Sequence, residues 1–231
     1  METIEKILFF GRKNDDLSIK CVEHLENLGF EVSVVWSSKR GEKLPSDLNE
    51  LEVDYILCYR SHFILPESIL KIPKLYSINF HPGPPEYPGT GINFSLYENS
   101  KEYGITIHLM NKKVDSGKII ETKYFPIFKN DNLEKLLKRT HSTLFSSFID
   151  FTINLKKNGE KFIKEKLRKN TNLKWNKKKW TSKELNTYQI IPIDIDETEL
   201  NRRIKSFNYP GFPIELSLFG HRFILKDGEN N

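Results

Sequence analysis

The sequence predicts an α/β fold, with a central, mostly parallel sheet carrying the chemistry and a small carboxyl-terminal α+β extension ending in a hairpin. Three observations predict it. The uninterrupted apolar runs Ile7-Leu8-Phe9-Phe10 and Tyr55-Ile56-Leu57-Cys58-Tyr59 have the character of strands buried on both faces. Between the first run and the strand-like Glu31–Trp36 lies a stretch with apolar residues at helical spacing, which makes a strand–helix–strand unit. Near the end of the chain, two short alternating segments meet at Gly220 as a hairpin. The 231 residues are enough for one main core plus an appendage. The core is expected over residues 1–175 and the extension over 176–231.

The first strand stops at Gly11. Asp15 or Asp16 caps a helix carrying Leu17, Cys21, Leu25 and Leu28, with Gly29 as its stop. The turn Gly11-Arg12-Lys13-Asn14-Asp15-Asp16 lacks the further glycines of a dinucleotide fingerprint. Residues 37–53 are polar, with Gly41 and Pro45, and read as loop. After the strand Tyr55–Tyr59 comes the loop Arg60–Pro66, and then the stretch on which the chain is centred, Leu75 to Gly91. Up to Phe80 it alternates, with Tyr76, Ile78 and Phe80 on one face and Ser77, Asn79 and His81 on the other. Asn79 and His81 therefore lie about 7 Å apart on one side of a strand. The Pro/Gly-rich run after His81 continues neither strand nor helix before Gly91. A polar pair at a strand's carboxyl end is where open α/β sheets place their chemistry.

Ile92–Asn99 is expected as a short helix packed by Phe94, Leu96 and Tyr97. Gly104–Met110 alternates, placing Thr106, His108 and Met110 on one face, with His108 read as a hydrogen-bonded strand residue whose face borders the cleft. Val114-Asp115-Ser116-Gly117 forms a tight turn with Gly117 available for a positive φ, and Ile119–Ile127 is a further strand. Asn130 or Asp131 caps a long helix, with Glu134 as the reciprocal carboxylate, running to Gly159 and carrying His141 on its surface or flank. Lys156–Lys179 is Lys/Asn-rich and marks a boundary. Asp196 and Glu197 start a helix over Leu200 and Ile204, and Ile214–Leu218 with Arg222–Leu225 form the hairpin.

Net charge is +5, from 36 basic and 31 acidic side chains, and no basic stripe interleaved with aromatics supports nucleic-acid binding. Cys21 and Cys58 form no Cys-x-x-Cys pair, so neither a disulfide framework nor a metal site is expected, and both read as buried thiols. The first residues carry no basic leader, and no run approaches a membrane span. A cytoplasmic protein without membrane insertion is the expectation.

Asn79-Phe80-His81-Pro82-Gly83, the turn Tyr87-Pro88-Gly89-Thr90-Gly91 and Val114-Asp115-Ser116-Gly117 together resemble the core signature of the N10-formyltetrahydrofolate-dependent formyltransferases. The resemblance implies a Rossmann-like formyltransferase core and an enzyme that uses N10-formyltetrahydrofolate as co-substrate, without metal, to formylate a primary amine. Attack by such an amine creates an oxyanion and a cationic nitrogen. Asn79 suits the oxyanion as a neutral amide donor. His81, with an ordinary pKa of about 6.5, suits the proton as general base, and Asp115 suits the orientation of that imidazole. The resemblance further implies that Ser61, His62, Phe63, Ile64 and Leu65, with Gly91 and Asp115, wall the folate.

His81-Pro82-Gly83-Pro84 followed by Tyr87-Pro88-Gly89 is similar to the sugar N-formyltransferase variant, as is the tail Arg202–Pro213. The implied acceptor is a nucleotide-linked 3-amino or 4-amino dideoxysugar, dTDP-linked by the resemblance with a UDP-linked sugar as the open alternative, made for a surface polysaccharide such as a lipopolysaccharide O-antigen. Arg202, Arg203 and Lys205 then serve its pyrophosphate, and Tyr87, Asn93 and Tyr209 its sugar or phosphate. A homodimer covering the apolar hairpin is expected. A methionyl-tRNA formyltransferase-like activity and a non-catalytic nucleotide-sugar-binding module are the alternatives.

Overall fold

A computed structural model of the chain describes residues 4–225. Strands β1 (Lys6–Arg12), β2 (Glu31–Ser37), β3 (Tyr55–Tyr59), β4 (Tyr76–His81), β5 (Glu102–Leu109) and β6 (Ile119–Pro126) form one sheet in the order β2-β1-β3-β4-β5-β6. The first four are parallel, and β5 and β6 run antiparallel to their neighbours. On one face lie helices α1 (Asp16–Asn27) and α4 (Leu133–Lys169). There the alternation of β4 is spent on packing, since Phe80 meets Phe148 at a ring separation of 4.7 Å and Phe151 at 5.4 Å. On the other face, Leu8, Phe10, Ile56 and Cys58 pack under a 3-10 turn (Ser46–Glu50) and the short helix α2 (Glu67–Leu70). Ser77, Asn79 and His81 share that second face, a consequence of the two-residue period of a strand.

The first helix is capped as expected, with the Asp15 carboxylate accepting from Ser18 N at 3.0 Å. The long helix differs. Its cap is Asn132, whose side chain accepts from Lys135 N at 3.0 Å, rather than Asn130 or Asp131. Asp131 instead forms a two-point ion pair with Arg139, at 2.6 and 3.0 Å, and Glu134 pairs with Lys138 at 2.7 Å rather than reaching back to the cap. The helix does not end at Gly159 either. Gly159 adopts φ 54° and ψ −147° and kinks the helix, which then runs on to Lys169 because Ile163, fully buried, gives the second half a core contact. The polar stretch 37–53 holds the 3-10 turn, nucleated by the buried Leu48.

Helix α3 (Gly91–Tyr97) follows the Pro/Gly loop. Beyond α4 come α5 (Ser182–Gln189) and β7 (Ile190–Ile191), neither anticipated, then α6 (Glu197–Phe207) and the expected hairpin β8 (Glu215–Leu218) and β9 (His221–Ile224). Strands β7, β8 and β9 form a second sheet. The link to the main sheet is aromatic: Phe94 of α3 stacks on Trp180 at 3.9 Å and meets Phe207 edge-on at 5.3 Å. Among the described residues, no helix is long and apolar enough to cross a membrane.

Candidate active site

The floor of the site is a cross-strand pair. Antiparallel register sets Asn79 of β4 directly opposite His108 of β5, and His81 opposite Thr106. Side chains of such pairs stand within contact distance. Asn79 Nδ2 lies 3.1 Å from His108 Nε2, and His108 Nδ1 lies 2.8 Å from the Leu109 carbonyl oxygen. A carbonyl only accepts, so the imidazole carries its proton on Nδ1 and offers a lone pair at Nε2. Asn79 donates one amide hydrogen to that lone pair. The ring thereby fixes the amide's orientation and leaves its second hydrogen for the cleft.

The turn after β5 folds back over this floor. It brings Asp115 Oδ1 to 3.4 Å from His81 Nδ1 and 3.9 Å from His108 Nε2, with all three side chains nearly buried. The turn's geometry departs from expectation at two residues. The left-handed residue is Asp115 itself, at φ 46°, and Gly117 is required for a different reason. A Cβ on Gly117 would stand 1.7 Å from the Leu109 carbonyl oxygen, so only a bare backbone allows the turn to lie on β5. On the other side of His81, Gly83 serves the same end, because a Cβ there would sit 2.8 Å from His81 Nε2. His81 Nε2 is buried and has no hydrogen-bond partner among the described residues. With Asp115 beside Nδ1, the unpartnered Nε2 is the atom available to take a proton.

Burial holds His81 below its ordinary pKa, and Lys179 pushes in the same direction, while Asp115 opposes them. His108 is pushed down to about 4, by burial first and His81 second. Both rings are therefore neutral at pH 7, and His81 is more completely available as a base than an unperturbed imidazole would be.

Sequence reasoning missed the residues that close the site. Trp175, an isolated aromatic in the Lys/Asn-rich stretch, stands edge-on to His108 at 4.9 Å and to His81 at 5.6 Å, and its indole N–H donates to Gly117 O at 2.8 Å. The segment holding it is anchored to the Pro/Gly loop, with Asn176 N donating to Pro85 O at 2.9 Å and Thr90 N to Trp180 O at 3.0 Å. Gly89 is needed at that crossing, for its φ is 79° and a Cβ would lie 2.2 Å from Trp180 O. Lys179 Nζ donates to the Val114 carbonyl. Between this segment and the Asp115 turn is a cleft of about 390 Å³, lined by Asp115, Ser116 and Trp175 together with Lys113, Lys118, Lys174, Lys177 and Lys179.

Of the other expected site residues, Ser61, His62 and Phe63 form one network on Ser37. His62 N donates to Ser37 Oγ at 2.8 Å, and Phe63 N to Ser61 Oγ at 3.2 Å. Phe63 packs on Phe10, Leu65 is buried, and Ile64 is 75% exposed. Gly91 lies against Tyr87, which a Cβ would meet at 2.6 Å. The remainder are engaged within the protein. Tyr87 OH donates to Glu98 and Asn93 Nδ2 to Ser206 O. Arg202 donates to Tyr97 O and covers that ring, Arg203 pairs with Glu199 at 2.7 Å, and Lys205 reaches Lys129 O. Tyr209 O accepts from Phe212 N. These contacts hold α3 and α6 in place; the guanidinium groups of Arg202 and Arg203 have internal partners, and Arg203 also lines a cleft of about 470 Å³ with Asn186, Thr187, Ile190 and Pro192. No grouping of His, Cys, Asp and Glu suited to a metal ion occurs among the described residues.

The formyl transferase family model matches residues 13–150. A methionyl-tRNA formyltransferase of Enterococcus faecalis is 37% identical over 92 residues, which cover 39% of this chain and 29% of that protein. The bifunctional polymyxin resistance protein ArnA of Wigglesworthia glossinidia brevipalpis is 38% identical over 94 residues, 40% of this chain and 14% of that protein. The chain thus spans less than a third of the length of these relatives. Among solved structures, a 4-N formyltransferase from Francisella tularensis superposes with a TM-score of 0.73 at 15% identity, covering 96% of both chains. The N-formyltransferase of Helicobacter canadensis, solved with folinic acid and dTDP-3-aminofucose, gives 0.67 at 18% identity, covering 94% of this chain and 85% of that one. At such identities these likenesses carry the fold.

Proposed function

The chain belongs to the formyl transferase family, and on that premise we propose that it transfers a formyl group from N10-formyltetrahydrofolate to the primary amine of a nucleotide-linked amino-dideoxysugar. The observation that carries the reading is the convergence of Asn79, His81 and Asp115, with His81 Nε2 buried and unpartnered and one Asn79 hydrogen unspent. These atoms fit a formyl donor, which supplies the carbon to be moved. Asn79 donates to the oxygen on which negative charge grows, a task whose loss costs about 10²–10³ in turnover elsewhere. His81 Nε2 takes the proton from the attacking amine, Asp115 stabilises the imidazolium, and the proton passes to N10 as the formyl C–N10 bond breaks and tetrahydrofolate leaves. Trp175 keeps water off both rings.

The acceptor is inferred from charge and size. A cleft of about 390 Å³ is at the lower end of small-molecule sites, and its lysines, next to Asp115, suit a diphosphate in place of Arg202, Arg203 and Lys205. A dTDP-linked sugar bearing a 3- or 4-amino group, destined for a surface polysaccharide, is the acceptor we favour, with Ser61–Leu65 and Gly91 on the folate side. A cytoplasmic homodimer, with the exposed Phe219 and Phe223 covered by the second copy, completes the proposal.

The test is to incubate dTDP- and UDP-linked 3-amino and 4-amino sugars with formyltetrahydrofolate and follow both the mass of the sugar nucleotide and the release of tetrahydrofolate. Formylation of a dTDP-amino sugar is expected. The similarity to methionyl-tRNA formyltransferases motivates a second arm with methionyl-tRNA. Formylation there, with none on any sugar nucleotide, would replace the reading.

A further inference from the structure

The carboxyl ends of β1 and β3 carry a second group of charges that the chemistry above does not use. From β1 the chain turns outward to β2, and from β3 it turns the other way to β4, so the ends of β1 and β3 flank the crevice in which open sheets take ligands. Arg12 ends β1, and Arg60 follows β3 in a left-handed conformation at φ 53°. Arg12 Nε donates to Arg60 O at 3.2 Å, and its terminal nitrogens have no acceptor among the described residues. Arg60 pairs with Asp15 at 2.7 Å, both side chains being largely buried. Arg40, exposed on the loop after β2, reaches only Ser182 Oγ at 3.4 Å.

These cations crowd one another. Burial, and after it the like charge of Arg60, holds Arg12 below its ordinary pKa, with Arg40 adding to the effect. His62 is held down by burial and then by Arg12, Arg40 and Arg60, with Glu42 opposing them. Two carboxylates face the three guanidinium groups, Asp15, which also accepts from Ser18 N and Oγ as the cap of α1, and Glu42, which acts on His62, so one positive charge is left in excess. A half-buried cluster of like charge at a sheet crevice costs free energy that an arriving anion would recover.

We propose that Arg12, Arg40, Arg60 and His62 form an oxyanion subsite for the glutamyl carboxylates at the tail of the folate co-substrate. This rests on the reading above, in which Ser61–Leu65 wall the pteridine. His62 belongs to both the wall and the cluster, so the cluster borders the folate side of the site, and the folate's carboxylates are carried beyond its p-aminobenzoyl group on the same molecule. The lysine-lined cleft beside Asp115 lies by the other catalytic loop and is left for the acceptor's phosphates. Each glutamyl unit added to a folate brings one more carboxylate, and the planar fork of an arginine matches a carboxylate at two points.

The test measures dissociation constants of tetrahydropteroate, tetrahydrofolate, its triglutamate and dTDP for the wild type, Arg12→Met, Arg40→Met and, as control, Lys20→Met on the exposed side of α1. The wild type is expected to bind the triglutamate more tightly than tetrahydropteroate, with an advantage that shrinks as salt rises. Each arginine variant should lose about tenfold on the triglutamate and nothing on tetrahydropteroate or dTDP, and Lys20→Met should change none of them. Equal wild-type affinity for tetrahydropteroate and the triglutamate overturns the subsite alone. A loss on dTDP instead of folate gives the cluster to the acceptor's phosphates and also overturns it. A wild type that binds no pteridine at all removes the formyl-transfer reading itself, and the subsite with it. Should Arg12→Met fail to fold, Arg40→Met, altered at an exposed side chain, carries the measurement.

Discussion

Replacing Gly117 by alanine probes the site's geometry without touching a reacting group. The added Cβ would stand 1.7 Å from the Leu109 carbonyl oxygen and 2.7 Å from its carbon, where approaches under 3.0 Å are essentially never seen. The backbones of the turn and β5 must therefore part by more than 1 Å. The parting pulls Asp115, two residues earlier, from its place 3.4 Å from His81 Nδ1, and strains the bond from Trp175 to Gly117 O. A misplacement of about 1 Å lowers turnover by roughly 10²-fold, equivalent to about 2.7 kcal/mol of activation free energy. Overpacking of this kind costs about 1–3 kcal/mol, less than the roughly 5–15 kcal/mol of a typical native protein, so the variant is expected to fold. The assay is single-turnover formyl transfer to the identified acceptor, with a thermal melt in parallel. Gly159→Ala is the control: its added carbon meets nothing within 4 Å, so it strains a kink in α4 and should leave turnover near the wild-type value. Turnover of Gly117→Ala within threefold of wild type, with folding retained, would refute the claim that Asp115 acts from this one position.

The remaining predictions concern protons and hydrogen bonds. His81→Ala and Asp115→Asn should each reduce turnover by about 10²–10⁴-fold while melting close to the wild type, and a near-normal rate in either variant would remove that residue's role. Asn79→Ala should cost about 10²–10³; His108→Phe, which leaves the Asn79 amide unanchored, should lower kcat by a smaller factor and leave folate affinity unchanged, so a KM effect alone would argue against the orienting role. Acid sensitivity follows from His141, which burial, then Arg60, pushes down to about 4, with Asp15 opposing. A group depressed in the folded state leaves stability intact above the unfolded value of about 6.5, and that stability falls away down to pH 4 with a slope of about 1.4 kcal/mol per pH unit. His141→Gln should flatten that loss in urea titrations, and an unchanged acid slope would show that the imidazole is not held neutral.

The two-residue period of β4 made Asn79 and His81 legible, since a single face inversion would have buried Ser77 and His81 among Phe148 and Phe151. Asp115 was legible through its turn. What the sequence could not reveal was register. Nothing in Thr106-Ile107-His108 says which residue of β4 lies opposite, so the bond from Asn79 to His108 had no sequence signal. Glycine usually takes a left-handed position, which points to Gly117; here the close approach to Leu109 claims the glycine and Asp115 bears the positive φ. Trp175 was hidden in a lysine- and asparagine-rich stretch read as a boundary, although a lone tryptophan among charges is itself a sign of a buried contact. Arg202 and Arg203 are the opposite case. Their charge was visible from the sequence, but Glu199 and the rings of Tyr97 and Tyr188 that engage them were not.

The site's position follows from the point at which the sheet changes direction. A purely parallel sheet offers chemistry at the carboxyl ends of its strands, where residues of different strands meet only through their loops. At β4–β5 the pairing becomes antiparallel, so residues directly opposite exchange side-chain contacts on the sheet's face. That is how an amide and an imidazole come to lie 3.1 Å apart on rigid backbone. The same reversal sends β5 toward the amino end of β4, and the following turn must double back across the face, which carries Asp115 over His81. The parallel half ends β1 with Arg12 and follows β3 with Arg60. On the proposed function and subsite, the sheet separates two tasks by strand direction, with proton transfer assigned to the antiparallel face and anion recognition to the parallel ends. Substitutions in one half should leave the other half's function intact wherever their side chains do not touch.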